Sequence, residues 1–119
     1  MSRRADGALE LEVLQILWAA TEPLQATDVQ AKLKKKLAYT SVATVLSRLC
    51  AKGLLSRTLS GRSYAYAPTV SRDDWYAGRM LALLSETPDH RQLLAGFIDK
   101  LSSQDRAALR NILNQKSKR

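Results

Sequence analysis

One cysteine, Cys50, among 119 residues leaves no route to an internal disulfide, and no CxxC or HxxxH pair offers metal-ligand spacing. The single histidine, His90, stands next to Asp89 in a polar stretch and reads as a surface residue, not a general base. With no Ser-His-Asp or Cys-His set in sight, the pattern gives little support to an enzyme with a side-chain nucleophile. Asp73 and Asp74 suit the first turn of a helix better than a pair of catalytic acids. Five glycines and three prolines are too few for a many-turned all-β fold, and 45% hydrophobic residues argue against disorder. No run approaches the roughly 18 apolar residues of a membrane-spanning helix. Met1 to Asp6 leads into an amphipathic stretch, not into the apolar core of a signal peptide. A cytoplasmic protein with no metal, no cofactor and no direct membrane binding is expected.

A local absence says more. Between Lys32 and Arg62 there is no acidic residue, against eight basic ones: Lys32, Lys34, Lys35, Lys36, Arg48, Lys52, Arg57 and Arg62. That segment carries a charge equal to the net +8 of the whole chain. An acid-free basic segment is the footprint of a polyanion binder, although lysines also serve simply to keep a surface soluble.

The apolar spacing predicts six helices and one hairpin. Leu9, Val13, Ile16 and Leu17 make one stripe of a first helix over 9–20, with Leu11, Leu14 and Trp18 on its other side. Thr27 with Gln30 has capping-box spacing for a second helix whose last turn would hold Lys34 to Lys36. A third helix over 40–52 ends at Gly53, after a short link at Leu37–Tyr39. The period then changes to two: 54–58 and 63–67 read as strands joined by Leu59–Arg62, with Tyr64 and Tyr66 on one face. Helices over 72–86, 89–101 and 103–116 follow, capped at Ser71 and Ser102, with Pro88 at a first helical position and a frayed tail at 116–119. The fold class is mainly α: a winged helix-turn-helix over 1–70, followed by a helical domain over 71–119.

On the third helix, Val42, Val45, Leu46 and Leu49 fall within about 100° of arc and face the core. Thr40, Thr44, Ser47 and Arg48 lie opposite, flanked by Ser41 and Ala43. Such short polar side chains let a helix approach the major groove of double-stranded DNA and bond base edges or phosphates. Lys52 and Arg57 suit phosphate contacts, and Arg62 at the hairpin tip suits the backbone or an adjacent minor groove. Cys50, between the core and solvent faces, reads as a packed thiol.

The C-terminal helices, about 49 residues long, are too short to bury a core alone. Met80, Leu83 and Leu84 need a covering surface, as do the stripes Leu93, Leu94, Phe97, Ile98, Leu101 and Leu109, Ile112, Leu113. A second copy of the chain would supply it and would present two recognition helices to a palindrome.

Four segments, Leu11–Trp18 (LEVLQILW), Ala38–Gly53 (AYTSVATVLSRLCAKG), Gly61–Pro68 (GRSYAYAP) and Phe97–Leu113 (FIDKLSSQDRAALRNIL), resemble the BlaI/MecI penicillinase-repressor family in order along nearly the whole chain. The resemblance implies a homodimeric winged-helix repressor on palindromic operators with TACA/TGTA half-sites. It matches Thr40, Ser41, Thr44 and Arg48 to operator-contacting positions and Arg62 to the wing residue. Family repressors of β-lactamase genes are inactivated at an Asn-Phe bond through a membrane sensor-protease pathway. The matching pair here is Gly96-Phe97, a departure at that possible cleavage site. The copper-responsive relatives carry a C-terminal cysteine cluster, which this tail lacks.

Three other readings compete. A winged helix can dock protein partners, but such a face would usually be more apolar or mixed in charge. A structure-selective RNA binder would need more exposed aromatics than Tyr39 and a wing tyrosine. A non-specific nucleic-acid binder would share the charge but not the choice of sequence.

Overall fold

The computed structural model describes residues 2–117, with side chains from Gly7 onward. Helix α1 spans Ser2–Ala19, starting earlier than the apolar stripe predicted. Val13, Leu14 and Leu17 are buried, while Leu9, Leu11, Ile16 and Trp18 are half-buried around them, so this helix is covered on two faces. After Pro23 the chain enters a strand of two residues, β1 (Leu24–Gln25), and passes directly into α2 (Ala26–Lys32). Because β1 fixes Gln25 in the sheet, Gln25 and not Thr27 stands at the helix start, and its N–H donates to the Asp28 carboxylate at 3.0 Å.

Helix α2 ends sooner than its lysines suggested. Leu33 turns extended to reach the core, the Lys34 N–H donates to Glu12 Oε2 at 2.8 Å, and Gln30 Nε2 donates to the Leu37 carbonyl at 2.8 Å. Lys34 to Lys36 therefore lie in the connector, beyond the helix and its dipole. Helix α3 covers Tyr39–Ala51 and buries Val42, Val45, Leu46 and Leu49, the expected four. It closes with Gly53 N–H on the Cys50 carbonyl (2.9 Å) and Leu54 N–H on the Leu49 carbonyl (3.0 Å). That paired closure needs a left-handed residue, and Gly53 supplies it with φ +79°.

The wing is longer and tighter than the sequence suggested. Strands β2 (Leu55–Ser60) and β3 (Ser63–Pro68) pair antiparallel from Leu55↔Pro68 to Ser60↔Ser63, leaving only Gly61 and Arg62 at the turn. A first turn residue at positive φ suits a two-residue hairpin, and Gly61 has φ +68°. Strand β1 pairs with β3 through Leu24↔Tyr66 and Gln25↔Ala65, giving a sheet of order β1-β3-β2.

Helices α4 (Arg72–Ser85), α5 (His90–Lys100) and α6 (Ser103–Ser117) complete the described chain. Ser71 Oγ and Ser102 Oγ accept from the Asp74 and Asp105 N–H groups, both at 3.0 Å. Asp89 caps α5 by accepting from the Gln92 N–H, so Pro88 lies just outside that helix and His90 is its first residue. Of the tail expected to fray, Lys116 and Ser117 are helical; Lys118 and Arg119 lie outside the described residues.

The chain divides into two compact units, Met1–Tyr76 and Ala77–Arg119. Every buried hydrophobic residue among those described lies between Val13 and Tyr66, in the first. The first turn of α4 joins that unit through aromatic packing. Trp75 sits 6.0 Å from Trp18 edge to face, and Trp18 Nε1 donates to the Val70 carbonyl at 2.9 Å. None of the described residues of α4, α5 or α6 is buried.

Candidate nucleic-acid interface

The burial of one side of α3 leaves the other open. Thr40, Ser41, Thr44, Ser47 and Arg48 are all exposed, and Ala43 is half-buried at their flank. Thr44 Oγ1 donates to the Thr40 carbonyl at 2.8 Å. Its proton is thus engaged along the helix, and outward it offers a methyl group and an acceptor lone pair.

The basic residues of this region differ in their freedom. Lys52 Nζ lies 2.8 Å from Glu10 Oε1, and Arg48 Nη1 lies 4.0 Å from Glu10 Oε2. Glu10 belongs to α1 and keeps only 15% of its side chain exposed, so it is the counter-charge that the acid-free segment lacks in its own sequence. Arg57 stacks its guanidinium 4.2 Å from the centre of the Tyr64 ring, a cation–π pair across the wing. Arg62 makes no ion pair among the described residues and stands at the wing turn. It lines a cleft of about 160 Å³ together with Gln25, Ala26, Thr27, Tyr39, Ser63, Tyr64 and Tyr66. The wing tip and the start of α3 thus share one polar concavity.

Cys50 is half-buried against the core, and burial pushes its thiol pKa up, with the Arg57 charge pulling the other way. A thiol kept protonated is a poor nucleophile, as befits a packing residue.

The second unit has a different surface. Met80, Leu83, Leu84, Leu93, Leu94 and Phe97, with Leu81, line an apolar groove of about 430 Å³ between α4 and α5. A smaller hollow of about 250 Å³ brings Ile98, Leu109 and Leu113 beside Arg106, Arg110 and Asn114. Leu101 is half-buried and Ile112 exposed. Gly96 and Phe97 lie in the interior of α5, in regular helix.

Sequence reasoning missed Glu10 and Gln25, and gave Thr27 only a capping role. Glu10 meets residues 38 and 42 positions away, a pairing that no local pattern encodes. Gln25 and Thr27 reach the cleft because of β1, a strand too short to show a period.

Three helices, a hairpin wing and a carboxylate-free outer face on the third helix define a winged helix-turn-helix DNA-binding protein. Residues 7–115 match the family model described as penicillinase repressor, and the chain belongs to that family. Transcriptional regulator BlaI of Mycobacterium tuberculosis (strain ATCC 25618 / H37Rv) is 36% identical over 112 residues, covering 90% of this chain and 81% of that one. The penicillinase repressor of Bacillus licheniformis is 25% identical over 116 residues, covering 92% and 90%. A solved complex structure of hsRosR-S4 shares the fold, with TM-score 0.52 at 22% identity over 89% of this chain and 97% of that one. The chain is a transcriptional regulator of the BlaI repressor type, not an enzyme.

Proposed function

We propose that this chain represses transcription in the cytoplasm as a homodimer on a palindromic operator with TACA/TGTA half-sites. The observation that carries this reading is the exposed, acid-free face of α3 beside a basic wing. Thr40, Ser41, Ala43, Thr44, Ser47 and Arg48 would read bases in the major groove. Lys52, Arg57 and Arg62 would hold phosphates, supplying affinity and salt dependence without sequence choice. The domains are the winged helix, 1–70, and a dimerisation region, 71–119. Dimerisation would rest on the apolar groove of α4 and α5 together with the stripe of α6.

Fluorescence anisotropy against a TACA/TGTA inverted repeat and its scramble, over several salt concentrations, tests this. About a thousandfold tighter binding to the repeat, with one dimer per site, is expected. Equal, steeply salt-dependent binding to both duplexes would leave a non-specific nucleic-acid binder, and no binding at low salt would leave a protein-docking module. In the same assay Thr44→Ala is expected to cost about 1–3 kcal/mol on the repeat and little on the scramble. Equal losses on both duplexes would remove Thr44 from base reading.

Glu10 restrains the two basic side chains at the end of α3. Glu10→Gln would free Lys52 for a phosphate and Arg48 for the groove, while losing a partly exposed ion pair worth about 1 kcal/mol of stability. Binding to the scrambled duplex is expected to tighten about threefold to tenfold with a steeper salt dependence. Unchanged slopes would mean that Glu10 does not limit those two cations.

A further inference from the structure

The cleft between the wing tip and the start of α3 has a composition that the reading of α3 does not use. Tyr66 is only 6% exposed, and its ring belongs to the core, where a phenylalanine would pack as well. Its hydroxyl has no hydrogen-bond partner among the described residues, yet no polar side-chain atom among them is both sealed from solvent and unbonded. The hydroxyl of a buried tyrosine normally finds a partner. Tyr66 lines the cleft, so its hydroxyl opens to the solvent there and can exchange a water for a ligand oxygen.

The walls restrict what that partner can be. Thr27, Ser63, Tyr39 and Tyr64 add hydroxyls, and Arg62 brings a guanidinium with no ion pair among the described residues. No carboxylate lines the space; the nearby Asp28 accepts from the Gln25 N–H. The Arg57 stack fixes the Tyr64 ring, and Gln25 Nε2 donates to Ser60 Oγ at 3.4 Å, tying the start of α2 to the wing. A volume of about 160 Å³ falls below the roughly 300–1,000 Å³ of organic-ligand sites and suits a single tetrahedral anion with its first waters.

We infer that this cleft seats one phosphodiester of the DNA backbone, with Arg62 as its charge partner and the Tyr66 hydroxyl as a hydrogen-bond donor, locking the wing against the recognition helix. The inference rests on the DNA-binding reading above and adds a contact within it. A charge-assisted hydrogen bond from a rigid, mostly buried phenol costs little ordering on binding.

Tyr66→Phe removes the hydroxyl and keeps the ring. It is expected to weaken binding to the repeat and to the scramble alike, about tenfold, with an unchanged thermal midpoint and an unchanged salt slope. Arg62→Gln should weaken both and lower the salt slope by about one. Replacing phosphates one at a time by methylphosphonate should reveal one per half-site whose neutralisation weakens the wild type but not Arg62→Gln. Wild-type affinity of Tyr66→Phe for both duplexes, with the wild type itself binding, would overturn the cleft and leave the repressor reading standing. Failure of the wild type to bind either duplex would overturn both. Inorganic phosphate titrated by calorimetry separates the remaining source: sub-millimolar binding abolished in Tyr66→Phe, with DNA binding intact, would make this a free-phosphate site and overturn the assignment to DNA.

Discussion

Glutamate at both Leu94 and Phe97 is expected to turn the proposed homodimer into a monomer over the whole range accessible to sedimentation equilibrium. The two side chains are 47% and 40% exposed on the isolated chain and stand in a groove with almost no polar lining. Soluble monomers rarely leave so continuous an apolar surface open. Covering a leucine or phenylalanine contributes about 1.5–3 kcal/mol, and a two-fold dimer counts each change twice. The dissociation constant should rise by at least about a thousandfold. Operator affinity should fall with it, because linking two half-site contacts raises affinity by roughly a hundredfold to ten-thousandfold. Binding to a single half-site should persist, since the winged-helix core from Val13 to Tyr66 is untouched. An intact dimer would place the interface elsewhere.

Leu46→Ala should have the largest effect on stability. Leu46 is 0% exposed and lies in the cluster that α1, α2, α3 and the wing all share. Truncating a leucine at such a position costs about 3–5 kcal/mol, the lost transfer energy plus the cavity left behind. Against a total of roughly 5–15 kcal/mol for a small domain, that is a large fraction. The melting midpoint of the first unit should drop by about 15–25 °C in circular dichroism. Leu59→Ala, on the exposed face of the wing, is the control and should stay within about 0.5 kcal/mol. A loss below about 1 kcal/mol at Leu46 would mean that α3 is not seated on this core.

The elements legible in the sequence were those long enough to repeat their own period. The buried face of α3 could be read from Val42, Val45, Leu46 and Leu49 because thirteen helical residues carry nearly four turns. The wing could be read because a two-residue alternation followed Gly53. What escaped depended on partners far along the chain. The end of α2 is set by Leu33 turning to the core and by Glu12 receiving the Lys34 N–H, whereas local propensity favours a helical lysine run. β1 exists because β3 offers it an edge. At the candidate site the pattern exposed the polar face of α3 but not Glu10 beneath its end. Nor did it reveal that Tyr66 combines a core ring with a place on the wall of the cleft.

Among the described residues, the confinement of buried side chains to the first unit divides the protein into two kinds of stability. The winged helix holds its own core, so its folding is a property of one molecule and is indifferent to how many copies the cell makes. The last three helices have no buried residue of their own, so in the proposed dimer their order depends on a second chain. Folding of that unit then obeys mass action, gaining about 1.4 kcal/mol for each tenfold rise in protein concentration. Abundance would thereby act as a signal: dilution would separate the chains and loosen the last three helices while each winged helix stays folded.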